Sequence, residues 1–503
     1  MINESVRNGR LIDARKLFDH NPNSRDIITW NSMIAGYVKS NQIHNAQELF
    51  DIMPHRDVVS WNTMLMGFQR INDSEKLVKY FIQMGRIGLN PTEFTLSTVI
   101  SAISNMGSHV LIPQIHARVV NLGLTSSVFV GSALIGSYVN LGRPIVLSRL
   151  FDEISGKDVT SWNALISGYM NLGLVDEGRR AFESMPERNV VTWTTLVNGY
   201  IYNKKLDEAR FHFNEMPEKN VVTWTVMISG YERNDRFLEA LELLVSMRRS
   251  GFCPNEFTLS SILSACAGCS SLLFGMQVHS SIIKSGQPVD VILSSSLVDM
   301  YAKCGDIDAA IRVFESIPSK NLVSWNSIIG GFAGHGLGTR ALEEFERMKN
   351  GGIRPDEITL VHVLSACARG GLVEEGEKYF EEMEREYGIK AGIEHFACMV
   401  DLFGRAGQLE KAVELIRRMP FEPDVVIWGA LLGACGMHSS LDLGLFAAEE
   451  IYKLEQDHPA VYSLLTKIHG EKGVWNMVTE LRKMMNENGA RKQKAGSWIE
   501  SLN

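Results

Sequence analysis

The stretch from Val190 to Asn220, VVTWTTLVNGYIYNKKLDEARFHFNEMPEKN, is followed at Val221 by VVTWT, so the chain restarts after 31 residues. Trp193, Leu196, Val197 and Tyr200 recur at i, i+3, i+4 and i+7, one apolar stripe on a first helix. After the polar turn Asn203 to Lys205, Leu206, Ala209, Phe213 and Met216 form a second stripe. Pro217 stops that helix, because proline disfavours the α conformation in the preceding residue and donates no backbone hydrogen bond. The stretch therefore predicts a helical hairpin. Two helices of about a dozen residues cannot enclose a core, so each hairpin must bury its stripes against the next copy. The fold class expected is an all-α solenoid of helix-turn-helix repeats.

Carrying the register along the chain places hairpin starts at Ile27, Val58, Glu93, Val128, Val159, Val190, Val221, Glu256, Val291, Leu322, Glu357 and Ile393. Twelve units thus cover residues 27–424. Residues 1–26 make a partial first unit, in which Glu4 to Gly9 align with Gly36 to Asn41, so the chain opens partway through a first helix and upstream sequence is expected. Units of 31 residues end in short turns such as Met185 to Asn189. The unit from Val221 is 35 residues long, and its extra four residues are expected in the turn Met247 to Asn255, without touching the helices. Units starting at Glu93, Glu256 and Glu357 read E-F-T-L or E-I-T-L and lack the tryptophan. Each follows a 35-residue unit and precedes a short one, giving a higher-order period of three. Pro113 and Pro144 fall where second helices start; Pro113 is expected to delay or kink its helix.

In bulk the chain is ordinary: 503 residues, 45% hydrophobic, 21% charged, formal net charge −8. No apolar run approaches the roughly 18 residues that a membrane span needs, and no signal or Arg/Ser-rich transit sequence stands at Met1. The acidity is local, with 14 acidic against 8 basic residues between 357 and 424, so a polyanion groove in the first two-thirds requires local basicity. Cys266, Cys367 and Cys435 each follow alanine at a similar place in a first helix and read as small core residues. Cys266 and Cys269 form a lone C-x-x-C with no second pair, a weak zinc signal. No metal or other cofactor is expected.

These units resemble the pentatricopeptide repeat family of plants, PLS subclass, over essentially the whole chain. W-N-x-[ML]-[IL]-x-G-[YF] recurs at Trp30, Trp61 and Trp162, with a close relative at Trp325, and L-V-D-M-Y-A-K-C-G-D spans Leu297 to Asp306. The resemblance implies a right-handed superhelix. Residues 425–503 resemble the two degenerate hairpins called E motifs in RNA-editing members, through Val425 to Cys435, Tyr462 to Ile468 and the closing Gly496 to Glu500.

The residue after the tryptophan is polar in most units, although Asn and Thr inside a helix each cost about 0.5 kcal/mol relative to alanine. It pairs in sequence with the final residue of the same unit, where Asp, Asn, Thr or Ser recurs. Hydrogen bonding within the turn or to a neighbouring hairpin is one explanation; two polar groups per hairpin reading one RNA base is the other. On the family's recognition rule, Asn31 with Asp57 favours U, Asn62 with Thr92 a pyrimidine, Ser132 with Asp158 G, and Asn163 with Asn189 a pyrimidine. Thr194 with Asn220, Thr225 with Asn255, and Ser295 with Asn321 favour A, and Asn326 with Asp356 favours U. Ser97 with Ser127 and Ser260 with Asp290 are left open, while Val361 and Ala397 lack the polar group. The RNA expected is U-Y-n-G-Y-A-A-n-A-U-n-n, with the base sandwiched at Ile28, Val59, Phe129, Val191 or Val222 and a target cytidine a few nucleotides 3′.

His469 is followed by x-Glu at Glu471, but no P-C-x-x-C occurs to supply the remaining ligands, so these residues hold no complete zinc deaminase signature; nor is a Walker A or a nucleophile elbow found. Catalysis in this chain is not expected. The resemblance implies a single-stranded RNA partner in mitochondrion or chloroplast and a deaminase-bearing or other editing-complex protein engaged through residues 425–503. A transcript stability or processing factor and a protein-binding scaffold remain the alternatives.

Overall fold

The computed structural model describes residues 2–7, 10–20, 25–285, 290–438, 440–455, 459–471, 473 and 475–487; the closing motif at 496–500 lies outside them. The described residues contain helices and turns and no strand. They form two compact units, 1–230 and 231–503, divided within the helix Val221–Arg233.

Within each unit, successive hairpins stack so that first helices touch first helices and each second helix lies against the first helix of its own and of the next hairpin. In the N-terminal unit the first helices begin at Ile27, Val58, Glu93, Val128, Val159 and Val190, and in the C-terminal unit at Glu256, Val291, Leu322, Glu357, Ile393 and Val425. The helices Val190–Tyr202 and Leu206–Glu215 bury Leu196, Val197, Tyr200, Ala209 and Phe213, and Met216 turns extended before Pro217. Gly199 explains the glycine of the motif: a Cβ there would lie 2.4 Å from Cγ of Met170 on the preceding first helix, so any larger residue would prise the hairpins apart.

The tryptophans lock neighbouring hairpins. In the N-terminal unit Phe18, Phe50, Phe151, Phe182 and Phe213 on second helices meet Trp30, Trp61, Trp162, Trp193 and Trp224 of the next first helix edge to face, 4.6–4.9 Å between centroids. Phe314 and Trp325 do the same in the C-terminal unit. Such pairs add about 0.5–1.5 kcal/mol beyond their area. A lysine or arginine from the intervening turn lies over the phenylalanine, as Arg188 does over Phe182 and Lys320 over Phe314.

Two hairpins without tryptophan, those from Glu93 and Glu256, use a different lock. His116 and His279 place Nδ1 2.8 Å from the hydroxyls of Tyr138 and Tyr301 on the next first helix. Burial pushes both imidazoles below their ordinary pKa. The folded state therefore binds these protons less readily than the unfolded chain. The stabilisation is complete above the unfolded value of about 6.5 and is lost as pH falls below it. Thermal unfolding is expected to shift down between pH 7.5 and pH 5.5, with a shallower shift in a His116→Gln/His279→Gln variant.

One sequence expectation is modified and one is met. The added residues of the unit from Val221 do not all enter its turn: Phe237–Arg249 is 13 residues long against 10 for Leu206–Glu215, because Val245 to Arg249 continue the helix as far as the turn at Gly251. Pro113 stands in the first turn of Leu111–Asn121, where a missing N–H is harmless. That helix begins 18 residues after Glu93, whereas Leu272 and Val373 begin 16 after Glu256 and Glu357, so the start is delayed.

Candidate functional site

The final residue of nearly every hairpin is the N-cap of the next first helix. Asp26, Asp57, Thr92, Asp158, Asn189 and Asn220 in the N-terminal unit each accept the backbone N–H three residues on. Asn255, Asp290, Asn321, Asp356 and Asp424 do so in the C-terminal unit. Ser127 and Gly392 are the exceptions: Ser127 bonds Glu93 instead, and Gly392 has no side chain to cap with. Each such cap is worth about 1 kcal/mol. The recurrence of Asp, Asn and Thr at this position, taken from sequence as a sign of a partner, therefore has a local cause. The signal was legible in the spacing: Ser60, Thr95, Ser161, Thr192, Thr223, Thr258, Ser324 and Thr359 follow the cap by three residues and are fully buried.

Capping does not exhaust these side chains. Asn31 Nδ2 donates to Asp57 Oδ1 at 3.1 Å, Asn326 Nδ2 to Asp356 Oδ1 at 3.1 Å, and Asn62 Nδ2 to Thr92 Oγ1 at 3.4 Å, each bond crossing to the next hairpin. In both aspartates Oδ1 takes this bond together with the N–H and hydroxyl of Ser60 or Thr359, and Oδ2 has no partner among the described residues. Burial opposes ionisation, yet these donors hold the Asp57 and Asp356 carboxyls below the usual range. The Thr359 hydroxyl also bonds Asn326 Oδ1, and the Thr95 hydroxyl Asn62 Oδ1, which fixes both amide orientations.

The remaining predicted pairs that lie within one unit are not directly bonded. Ser132 Oγ and Asn163 Oδ1 are buried without a partner, although Asp158 and Asn189 serve as caps. Thr194 donates to the Val190 carbonyl and reaches Asn220 only through the Thr223 hydroxyl. Ser295 donates to the Val291 carbonyl while Asn321 Oδ1 is held by the Ser324 N–H. Thr225 donates to the Val221 carbonyl, and Asn255 caps a helix of the other unit.

Beside these polar groups the second residue of the hairpins is apolar yet exposed: Ile28, Val59, Phe94, Phe129, Val191 and Val222 in one unit, and Phe257, Ile292, Val323 and Ile358 in the other. Val323 and Ile358, each 57% exposed, flank Asn326 and Asp356 in a cavity of about 640 Å³. Lys303, at the thirteenth residue of its hairpin, lines the same cavity, and Lys39, Arg70, Arg233, Arg369 and Arg405 hold that register elsewhere. Residues 2 and 13 lie three turns apart on one face of a helix. This basic recurrence was readable from sequence and escaped a reading based on net charge.

Cys266, Cys367 and Cys435 are fully buried, and burial pushes the Cys367 thiol up to about 12. Among the described residues no three His, Cys, Asp or Glu side chains converge as metal ligands, and no helix is long and apolar enough to cross a membrane.

Comparison with known proteins bears on these repeats. Models of the PPR repeat family match residues 56–105, 219–268 and 320–369, and a PPR repeat model matches 28–58, 160–190, 191–221, 293–322, 358–387 and 394–422. An E motif model matches 438–500. A mitochondrial pentatricopeptide repeat-containing protein of Arabidopsis thaliana is 34% identical over 499 residues, 99% of this chain and 68% of the relative. A second from that plant is 38% identical over 97% of the chain and 67% of the relative, and a chloroplastic one 36% over 99% and 59%. The chain thus spans about three fifths to two thirds of the length of these relatives. The crystal structure of the pentatricopeptide repeat protein PPR10 from maize superposes with a TM-score of 0.52 at 21% identity, over 97% of this chain and 78% of that one, and shows the shared solenoid fold. On this coverage and identity, the chain belongs to the pentatricopeptide repeat family.

Proposed function

We propose that the chain is a sequence-specific single-stranded RNA-binding protein in which each hairpin boundary takes one base. The observation that carries this reading is the bonded pair Asn326 and Asp356 between the exposed Val323 and Ile358. The apolar side chains suit the two faces of a base, and the polar pair suits its edge.

Capping decides what each edge offers. An aspartate cap uses one oxygen and keeps another as an acceptor; an asparagine cap must use its only oxygen and keeps an N–H₂ donor. Asn326 and Asp356 therefore present one amide hydrogen and a carboxylate oxygen, matching a carbonyl and the N3–H of uracil, whereas cytosine would turn its N3 lone pair toward the carboxylate. Ser132 and Asp158 present a hydroxyl and a carboxylate, matching O6 and N1–H of guanine. Ser295 has given its hydrogen to the Val291 carbonyl, and Asn321 keeps its N–H₂. Acceptor and donor together match N6–H and N1 of adenine. The thirteenth-residue lysines and arginines suit the phosphates.

The E motif match and the mitochondrial and chloroplastic relatives support a role in an organelle, presenting a cytidine for C-to-U editing to a deaminase supplied in trans. The purified chain is expected to bind U-Y-n-G-Y-A-A-n-A-U-n-n RNA more tightly than a scrambled sequence, with affinity falling as salt rises. Equal binding of both RNAs overturns sequence reading. Sequencing organellar transcripts in a knockout tests the editing role: loss of RNA ends or splicing with every cytidine normally edited makes the chain a processing factor instead.

A further inference from the structure

His362 stands where no other hairpin carries a ring. It is the sixth residue of the hairpin from Glu357, a position that elsewhere holds small, aliphatic or hydroxylic residues such as Ser32, Thr63, Val226 and Ser327. Its neighbour Val361 has no polar group to offer at the fifth position. The imidazole instead crosses toward the preceding hairpin and lines the cavity that contains Asn326 and Asp356. Gly330 makes this possible, since a Cβ there would lie 2.7 Å from His362 Cε1 and 2.8 Å from Nδ1. Neither ring nitrogen has a hydrogen-bond partner among the described residues. A half-buried imidazole with unused nitrogens, seated in a slot whose floor has been cleared for it, is poised for a ligand rather than for the core.

Uracil has three groups on its edge, O2, N3–H and O4. Asp356 and Asn326 match N3–H and one carbonyl, leaving the other carbonyl without a partner. We propose that His362 is a specificity-determining residue of this slot, donating an imidazole N–H to O4 of the uracil whose N3–H faces Asp356 and whose O2 takes the Asn326 amide. The inference rests on the base-reading function above and adds a contact from outside the fifth and final positions. Burial pushes the imidazole below its ordinary pKa, against the attraction of Asp299 and Asp356 and with the repulsion of Lys303, and His335 lines the same cavity. The ring is therefore neutral at pH 7, with one N–H to donate.

The test is fluorescence anisotropy of the full chain with the expected RNA carrying U, C or 2′-deoxyuridine at this one position. His362→Ala and His362→Phe are expected to weaken binding of the U form about tenfold, the size of one hydrogen bond, and to leave binding of the C form within about twofold. His362→Gln, which keeps an N–H, is expected to recover part of the loss. Gly330→Ala, which displaces the ring without removing it, is expected to mimic His362→Ala while melting within a few degrees of the parent. Full recovery in His362→Phe would show that the ring only packs and would overturn the proposal. An effect of His362→Ala that vanishes with 2′-deoxyuridine would move the contact to the ribose and overturn it as well. Failure of the parent chain and Asn326→Ala to differ between U and C would instead refute base reading at this slot, a distinguishable outcome.

Discussion

Replacing Asp356 with asparagine is expected to shift the preference of its slot from uridine toward cytidine while leaving the fold almost unchanged. The carboxylate accepts the Thr359 N–H and the Asn326 amide on one oxygen and leaves the other without a partner. Asparagine caps a helix as well as aspartate does, so little stability is at stake. Its single oxygen is then committed to the cap, and the group left over is an N–H₂ donor. That donor suits N3 of cytosine and opposes N3–H of uracil. Reversing a donor and an acceptor in a partly buried site leaves both unpaired, at about 1–3 kcal/mol, or roughly ten- to hundredfold in relative affinity. Binding measured with U and C at that position, beside thermal unfolding, checks the result. Asp356→Ala is expected to lose both the discrimination and about 1 kcal/mol of cap. Unchanged preference in the asparagine variant would place the readout elsewhere.

Phe314→Ala is expected to have the largest effect on stability, about 3–5 kcal/mol. Phe314 is 1% exposed, meets Trp325 edge to face at 4.9 Å and carries Lys320 over its ring. In a stacked array each hairpin contacts only its neighbours, so this loss cannot be spread over a common core. Hydrogen exchange is expected to quicken first in the helices Ile307–Ser316 and Leu322–Gly334, and denaturant unfolding to broaden as the array loses cooperativity. Because Trp325 adjoins Asn326, RNA affinity is expected to fall too, with Phe314→Leu intermediate in both. A sharp, unshifted transition would show that the aromatic pair does not couple the hairpins.

Much of this was written in short-range pattern. The stripe Trp193, Leu196, Val197 and Tyr200 identified a helix, and Met216 before Pro217 marked its partner's end, because helix formation and termination depend on residues within about four positions. The placement of extra residues in the turn after Val221 failed for a related reason. Length alone does not divide residues between helix and turn, whereas Val245 to Arg249 contain nothing that breaks a helix before Gly251.

The polar positions were legible only in part. Asp57, Asn189 and Asn220 stood out by recurrence, yet the same D-x-x-S or N-x-x-T spacing that makes a cap was overlooked in favour of a partner. That Asn326 reaches Asp356 while Ser295 turns back to Val291 was not readable from residue type, since Asn163 leaves Asn189 unbonded and the Ser132 hydroxyl finds no partner in its own helix.

By itself, then, the sequence determined an all-α repeat, its caps and the faces each helix must bury, since these follow from neighbours along one helix. Only the tertiary structure decided that Phe314 answers Trp325, that His279 answers Tyr301, and that His362 enters the slot of Asn326 and Asp356 above Gly330. Those partners lie on different helices, and no local preference fixes how two such surfaces meet. Stacking sets the distance and register between hairpins, and with them which side chains share a slot.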